Sequence, residues 1–180
     1  DCLAVFGDMG LTVDRMAACG FNQIRIHHHD EPLTDTVSTR LLPKPMDQLE
    51  YLIAALKKRG IYISTDLYVS RIPGRGEIPE FPDRALGMGE YKGLFWLMDS
   101  VYENWKEYCR AFLNHVNPYT GLALKDDPVL ISLNIINEGN IDKTANASPL
   151  VKECYRKAFL EWLAAKKLRE PEERSGQQRL

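Results

Sequence analysis

Helical and extended patterns alternate along this chain, and that alternation leaves few folds open. Leu11 to Cys19 carries Val13, Met16 and Ala17 on one helical face, with Gly20 at a C-terminal cap position. Phe21 to His27 reads as a strand. Met46 to Arg59 is the clearest helix. Met46, Leu49, Leu52, Ile53 and Leu56 share one face, Lys57, Lys58 and Arg59 suit the negative end of its dipole, and Gly60 stops it. Ile61 to Val69 is the next strand. A Pro- and Gly-rich connection from Arg71 to Gly93 leads into a long helix predicted from Leu94 to Val116. A strand over 129–136 and a helix from Pro149 to Lys167 follow. From Pro171 the chain is polar and aperiodic, so one domain is expected over 1–168, with a frayed tail at 169–180.

The order α-β-α-β-α-β-α predicts a parallel sheet with right-handed crossovers. An open doubly wound sheet and a (β/α)8 barrel both satisfy it. No G-x-G-x-x-G or P-loop opens any helix, which counts against the nucleotide-binding open sheets. A barrel needs eight strands and typically about 250 residues. The expected fold class is therefore α/β, a partial (β/α)8 TIM barrel, with the chain read as a piece of a larger one.

Composition narrows the functional classes. The 180 residues are 44% hydrophobic and 27% charged, enough for a single domain with its own core. A net charge of −2 favours neither nucleic acid nor an anionic membrane as partner. No apolar run approaches the roughly 20 residues that span a bilayer. Cys2, Cys19, Cys109 and Cys154 form no C-x-x-C pair and no metal-ligand spacing, and are read as buried free thiols. Asn146-Ala-Ser148 fits a glycosylation acceptor, a triplet common enough by chance that the compartment stays undecided.

The stretch Ile131-Ser-Leu-Asn-Ile-Ile-Asn137-Glu138-Gly139 carries the chemistry. It reads as a buried strand ending in Asn-Glu. The C-terminal tips of parallel barrel strands are where α/β barrels hold catalytic groups. Strand alternation predicts that Arg25, His27 and His29 share one face, that Tyr62, Ser64, Asp66 and Tyr68 share another, and that Asn134, Ile136 and Glu138 share a third. Turned into one mouth, these groups need partners, because unpaired buried polar groups are costly. An Arg25–carboxylate pair is the natural arrangement, and a purely structural ion pair is the plain alternative. Glycoside hydrolysis uses one protonated carboxyl group as acid and a second carboxylate as nucleophile or base. Glu138 fits the donor, provided partial burial lifts its pKa. Asn137 could hydrogen-bond a sugar hydroxyl, with Gly139 permitting the bend that turns both side chains to the mouth.

At these residues the chain resembles a known group. Gly20-Phe-Asn-Gln-Ile-Arg25-Ile-His-His-His-Asp30, Leu56-Lys-Lys-Arg-Gly60-Ile-Tyr-Ile-Ser-Thr-Asp66-Leu-Tyr68 and Asp126-Asp-Pro-Val-Leu-Ile-Ser-Leu-Asn-Ile-Ile-Asn137-Glu138 look like the second, third and fourth strands of clan A glycoside hydrolases, the cellulase-like family 5 above all. His115-Val-Asn-Pro-Tyr-Thr-Gly121 and Ala158-Phe-Leu-Glu-Trp-Leu163 are similar to segments of that group too. The resemblance implies strands two to four of the barrel and a retaining hydrolase of β-linked sugars. It implies Glu138 as acid/base, Asn137 as its sugar-binding neighbour and Arg25 as the residue that steadies the nucleophile. His28 and His29 would lie near the glycone pocket, with Asp66 and Tyr68 as further sugar contacts. Two departures stand out. Asp66-Leu-Tyr68 replaces an Asp-x-His pattern, and the family's nucleophile glutamate belongs to a seventh strand, whereas this chain ends after its fourth helix. The 180 residues alone are therefore expected to be inactive.

No cofactor and no metal are implied, and the expected partner is a carbohydrate. Unpaired edges of the first and last strands invite self-association. Two rival readings remain. His27-His28-His29 contains the His-x-His that opens amidohydrolase metal sites, and a half-barrel could bind carbohydrate or assemble with another chain without catalysis.

Overall fold

The computed structural model describes residues 9–167. Residues 1–8 with Cys2, and the tail from 168, lie outside the described residues. Three parallel strands form one sheet in the order β1 (Gln23–Ile26), β2 (Tyr62–Asp66), β3 (Leu130–Asn134). Helices α1 (Met9–Ala18), α3 (Pro43–Lys58), α5 (Asp99–Asn114) and α7 (Pro149–Ala165) alternate with them. Short α2 (Asp30–Leu33), α4 (Met88–Leu94) and α6 (Ile141–Ala145) occupy the connections after the three strands.

The two faces of the sheet are chemically different, as the strand period requires. Ile63 is fully buried and packs with Leu49, Ile53 and Leu56 of α3 and with Tyr108 and Phe112 of α5. The opposite face carries Gln23, Arg25, Ser64, Asp66, Ser132 and Asn134, a polar row no barrel would choose for stability alone. A register shift between Ile63 and Ser64 sets this row. Ile63 pairs with Leu130 but Ser64 with Ser132, so Ile131 is the extra residue of a bulge and Asp66 comes to lie opposite Asn134.

Several boundaries differ from the sequence expectation. The helix predicted from Leu94 to Val116 is shorter, α5 over Asp99–Asn114, and Leu94 instead closes the separate helix α4. Met98 is extended at φ −120° and ψ 118°, and Asp99 starts α5 afresh in the acidic first turn that suits a helix N-terminus. The break lets Phe95 tuck edge-on against Trp105, with ring centroids 5.0 Å apart. The Arg71–Gly93 connection is built around a second core of Tyr68, Ile78, Leu86, Tyr91, Leu94, Phe95, Val101 and Val151. Of the cysteines, Cys109 is buried, Cys154 half-buried and Cys19 exposed, so the expectation of buried thiols fails at Cys19, which lies at the solvent-facing end of α1.

Arg71 is the polar anchor of that connection. Its guanidinium is fully buried and bonds Glu77, Thr34 Oγ1 at 3.1 Å, Asn104 Oδ1 at 3.0 Å and the Ser38 carbonyl at 3.1 Å. Asn104 also donates to Glu77 at 3.1 Å, and Tyr91 donates to Asn104 at 2.9 Å. Removing one member of a buried ion pair strands the other. Arg71→Met should therefore lower unfolding stability by about 3–5 kcal/mol in denaturant titration, while far-UV circular dichroism of the native state stays unchanged. A loss under about 1 kcal/mol would show the network to be dispensable.

Candidate active site

The Asp66 carboxylate, at the end of the central strand, is the centre of the polar face. It is fully buried and accepts from three neighbours. Arg25 on β1 reaches it twice, through Nε at 3.1 Å and Nη2 at 2.6 Å, the two-point geometry that a guanidinium makes with a carboxylate. His27 Nδ1 lies at 2.7 Å, and since a carboxylate only accepts, that nitrogen carries the hydrogen. Asn134 Nδ2 donates from β3 at 2.7 Å. Burial alone would push the Asp66 carboxyl up. The bonds from Arg25, His27 and Asn134 outweigh it and hold the group below the ordinary carboxylate range.

Arg25 extends the cluster to the tip of β3. Its Nη2 also donates to Asn137 Oδ1 at 2.9 Å, and the Asn137 backbone N–H donates to the Tyr68 carbonyl at 2.9 Å. With its oxygen engaged, Asn137 is left with its amide N–H groups to offer a ligand. Glu138 follows in a turn. Its own backbone is left-handed at φ +51°, so the bend expected of Gly139 is made by the glutamate instead. Asn140 then caps α6, and α6 places Lys143 Nζ 3.6 Å from the Glu138 carboxylate. The Glu138 side chain is 68% exposed, so the partial burial expected of a proton donor is not present in this conformation.

The other sequence candidates divide. His28 is exposed, left-handed at φ +56°, with its ring edge-on to His27 at 4.3 Å. That reversal breaks the strand alternation, so His29 does not share the face of Arg25 and His27. It is buried against Phe112, with ring centroids 4.9 Å apart, and its Nε2 lies 2.6 Å from Thr65 Oγ1. Thr65 gives its own hydrogen to the Ile26 carbonyl, so it accepts from His29. Burial pushes the His29 imidazole down to about 4. Tyr68 is also turned away. The Asp30 carboxylate takes the backbone N–H groups of Val69, Ser70 and Arg71 at 2.8–2.9 Å and swings the chain off the sheet. Tyr68 is buried in the second core and donates to the Arg71 carbonyl at 2.9 Å. His115 bonds Glu50 on α3 at 2.6 Å, so the histidines do not converge. Among the described residues, no three His, Cys, Asp or Glu side chains are grouped to hold a metal ion.

Two members of the cluster, His27 and Asn134, were put at the mouth by strand parity but given no part in binding sugar. The signal for Asn134 was present, because its parity matches that of Glu138. Its place opposite Asp66 needed the bulge at Ile131, which no residue type announces.

No family model and no curated protein matches the sequence. Solved structures do match the fold. An endo-1,4-beta-mannanase from Rhizomucor miehei aligns with a TM-score of 0.57 at 19% identity, over 89% of this chain and 49% of that one. A glycoside hydrolase family 5 mannosidase from the same organism, in complex with mannosyl-fructose, gives 0.53 at 17% identity, over 82% of this chain and 43% of its own. The endo-beta-1,4-mannanase from Thermotoga petrophila gives 0.51 at 20% identity, over 72% and 31%. The chain spans about half the length of these enzymes or less. The likeness shows the fold, an α/β unit matching part of a family 5 TIM barrel.

The His29 environment makes stability depend on pH. A histidine whose folded pKa is depressed stabilises the fold above its unfolded value, and that contribution is lost as pH falls from about 6.5 toward 4. Urea unfolding should therefore weaken by up to about 3 kcal/mol across that window, and His29→Phe should flatten the slope. An identical pH dependence in the variant would contradict the assignment.

Proposed function

We propose that this chain carries the acid/base side of a glycoside hydrolase site acting on β-linked sugars. The hydrogen-bonded run Asp66–Arg25–Asn137, drawn from two adjacent parallel strands and the turn after the third, and ending beside Glu138, supports this reading best. In it Glu138 is the acid/base and Asn137 donates to a sugar hydroxyl beside the reacting carbon. Arg25 is held by Asp66 so that its charge stays at the strand tips. His28, exposed on the rim, remains a candidate sugar contact. The fold neighbours that are mannanases and mannosidases make a β-mannoside the first ligand to try.

Retention requires two carboxylates, about 5–5.5 Å apart. Among the described residues, Glu138 is the carboxylate that this reading can use, since Asp66 is fully engaged by its three donors. The 180-residue chain by itself should accordingly show no turnover of aryl β-mannosides. Turnover abolished by Glu138→Gln would contradict that expectation. An N-bromoacetyl β-mannosylamine, which places an electrophile where a leaving group would sit, should alkylate Glu138, and Asn137→Ala should slow the labelling. Random labelling of surface carboxylates would count against the site.

A second reading has its own observation. Glu138 stands exposed, 3.6 Å from Lys143 Nζ, rather than enclosed as a proton donor would be. In that state the mouth would bind carbohydrate without cleaving it, and binding of β-mannobiose without labelling of Glu138 would favour this reading. We also propose that the chain self-associates, because Ile131 and Ile135, each more than half exposed, lie on and just past the edge strand β3. Sedimentation should show concentration-dependent association that Ile131→Lys reduces, whereas a monomer at all concentrations would refute it.

A further inference from the structure

Lys92, on the last turn of α4, has no place in the account so far. It is 93% buried, at 7% relative exposure, yet it makes no hydrogen bond or ion pair among the described residues. Its ammonium lies 5.7 Å from the centre of the Tyr68 ring, on which the aliphatic stem can rest. Tyr68 is the residue whose carbonyl holds the Asn137 backbone. Helix α4 packs on α6, the helix that begins just after Glu138. That packing is close, because a Cβ at Gly93 would meet Val151 Cγ1 at 2.6 Å and the Thr144 carbonyl at 2.7 Å. Lys92 thus rests on Tyr68, the residue that anchors the Asn137 backbone, and its helix packs on the helix that follows Glu138.

A buried ammonium without a partner is a cost to the fold. The anions around it are Glu138, Asp30 and Asp66, with Lys143 opposing them. Each is already engaged. Asp30 takes three backbone N–H groups and the Ser70 hydroxyl, Asp66 takes Arg25, His27 and Asn134, and Glu138 faces Lys143. Burial lowers the ammonium below the ordinary lysine range. Its nitrogen is not among the sealed, unpartnered atoms of the described residues, unlike His29 Nδ1 or Trp105 Nε1. A sequence built only for stability would place methionine or leucine here.

We propose that Lys92 is a ligand-binding residue of this mouth, its ammonium donating to a hydrogen-bond-accepting oxygen of a bound sugar. The inference rests on the glycoside reading above and deepens it. The oxygen can belong to a neutral hydroxyl or to a uronate carboxylate, and the test separates them. Binding of β-mannobiose and of a β-linked disaccharide bearing a uronate is measured by calorimetry for the 180-residue chain and for Lys92→Met, Lys92→Arg and Asn137→Ala, each with its melting temperature.

The expected result is binding weakened about tenfold in Lys92→Met, partly recovered in Lys92→Arg, with Lys92→Met melting no lower than the parent. A larger loss for mannobiose identifies the hydroxyl, and a larger loss for the uronate identifies the carboxylate. Weaker binding accompanied by a melting temperature lowered by several degrees would make Lys92 a structural residue and overturn the proposal. Parent-like binding by Lys92→Met, with Asn137→Ala impaired, would overturn the Lys92 role alone. Failure of the parent chain to bind either sugar would remove the mouth itself, and the proposal with it.

Discussion

The buried carboxylate of Asp66 is the interaction on which the polar face of this sheet depends. Its position at the end of the central strand lets β1 and β3 reach it from either side, Arg25 and His27 from one and Asn134 from the other. None of these bonds can form unless the three strands keep their register, and the register in turn requires the bulge at Ile131. A one-residue slip in a strand turns every side chain to the opposite face. The same bonds that stabilise Asp66 as an anion therefore also specify how the sheet is assembled.

The second constraint is the path of the chain after β2. Asp30 captures three successive N–H groups and turns the backbone out of the sheet, and Arg71, deep in the interior, ties the following connection to α2, α5 and its own loop. The consequence reaches the site. Tyr68 gives its side chain to the second core, but its carbonyl holds Asn137 in place for Arg25. The loop that looks like a connector in sequence is thus part of the scaffold under the Asn137–Glu138 corner, and it brings Lys92 with it.

The layout of alternating elements was readable because burial enforces periodicity. The α3 face of Met46, Leu49, Ile53 and Leu56 is buried as its spacing implies. The Arg25–Asp66 pair was also readable, since polar residues at inward strand positions must find one another, whereas the bond from Arg25 to Asn137, past the end of β3, was not. Alternation fails where the backbone leaves the strand. His28 and Glu138 take left-handed conformations that residue type does not disclose, and the two residues misplaced from sequence, His29 and Tyr68, both lie just beyond a strand end. The break at Met98 was hidden for a related reason. Leu94 and Val101 lie on one continuous helical stripe in sequence, yet they reach the same core from two separate helices.

The most direct test of the central interaction is the titration of the Asp66 side-chain carboxyl, followed by carbon NMR on selectively labelled protein. Three donors converging on a buried carboxylate predict a midpoint below that of an ordinary aspartate, rising when Arg25 is replaced by methionine. A midpoint at or above the ordinary value, insensitive to Arg25, would mean that the bonds do not form and that the polar face is not organised as described.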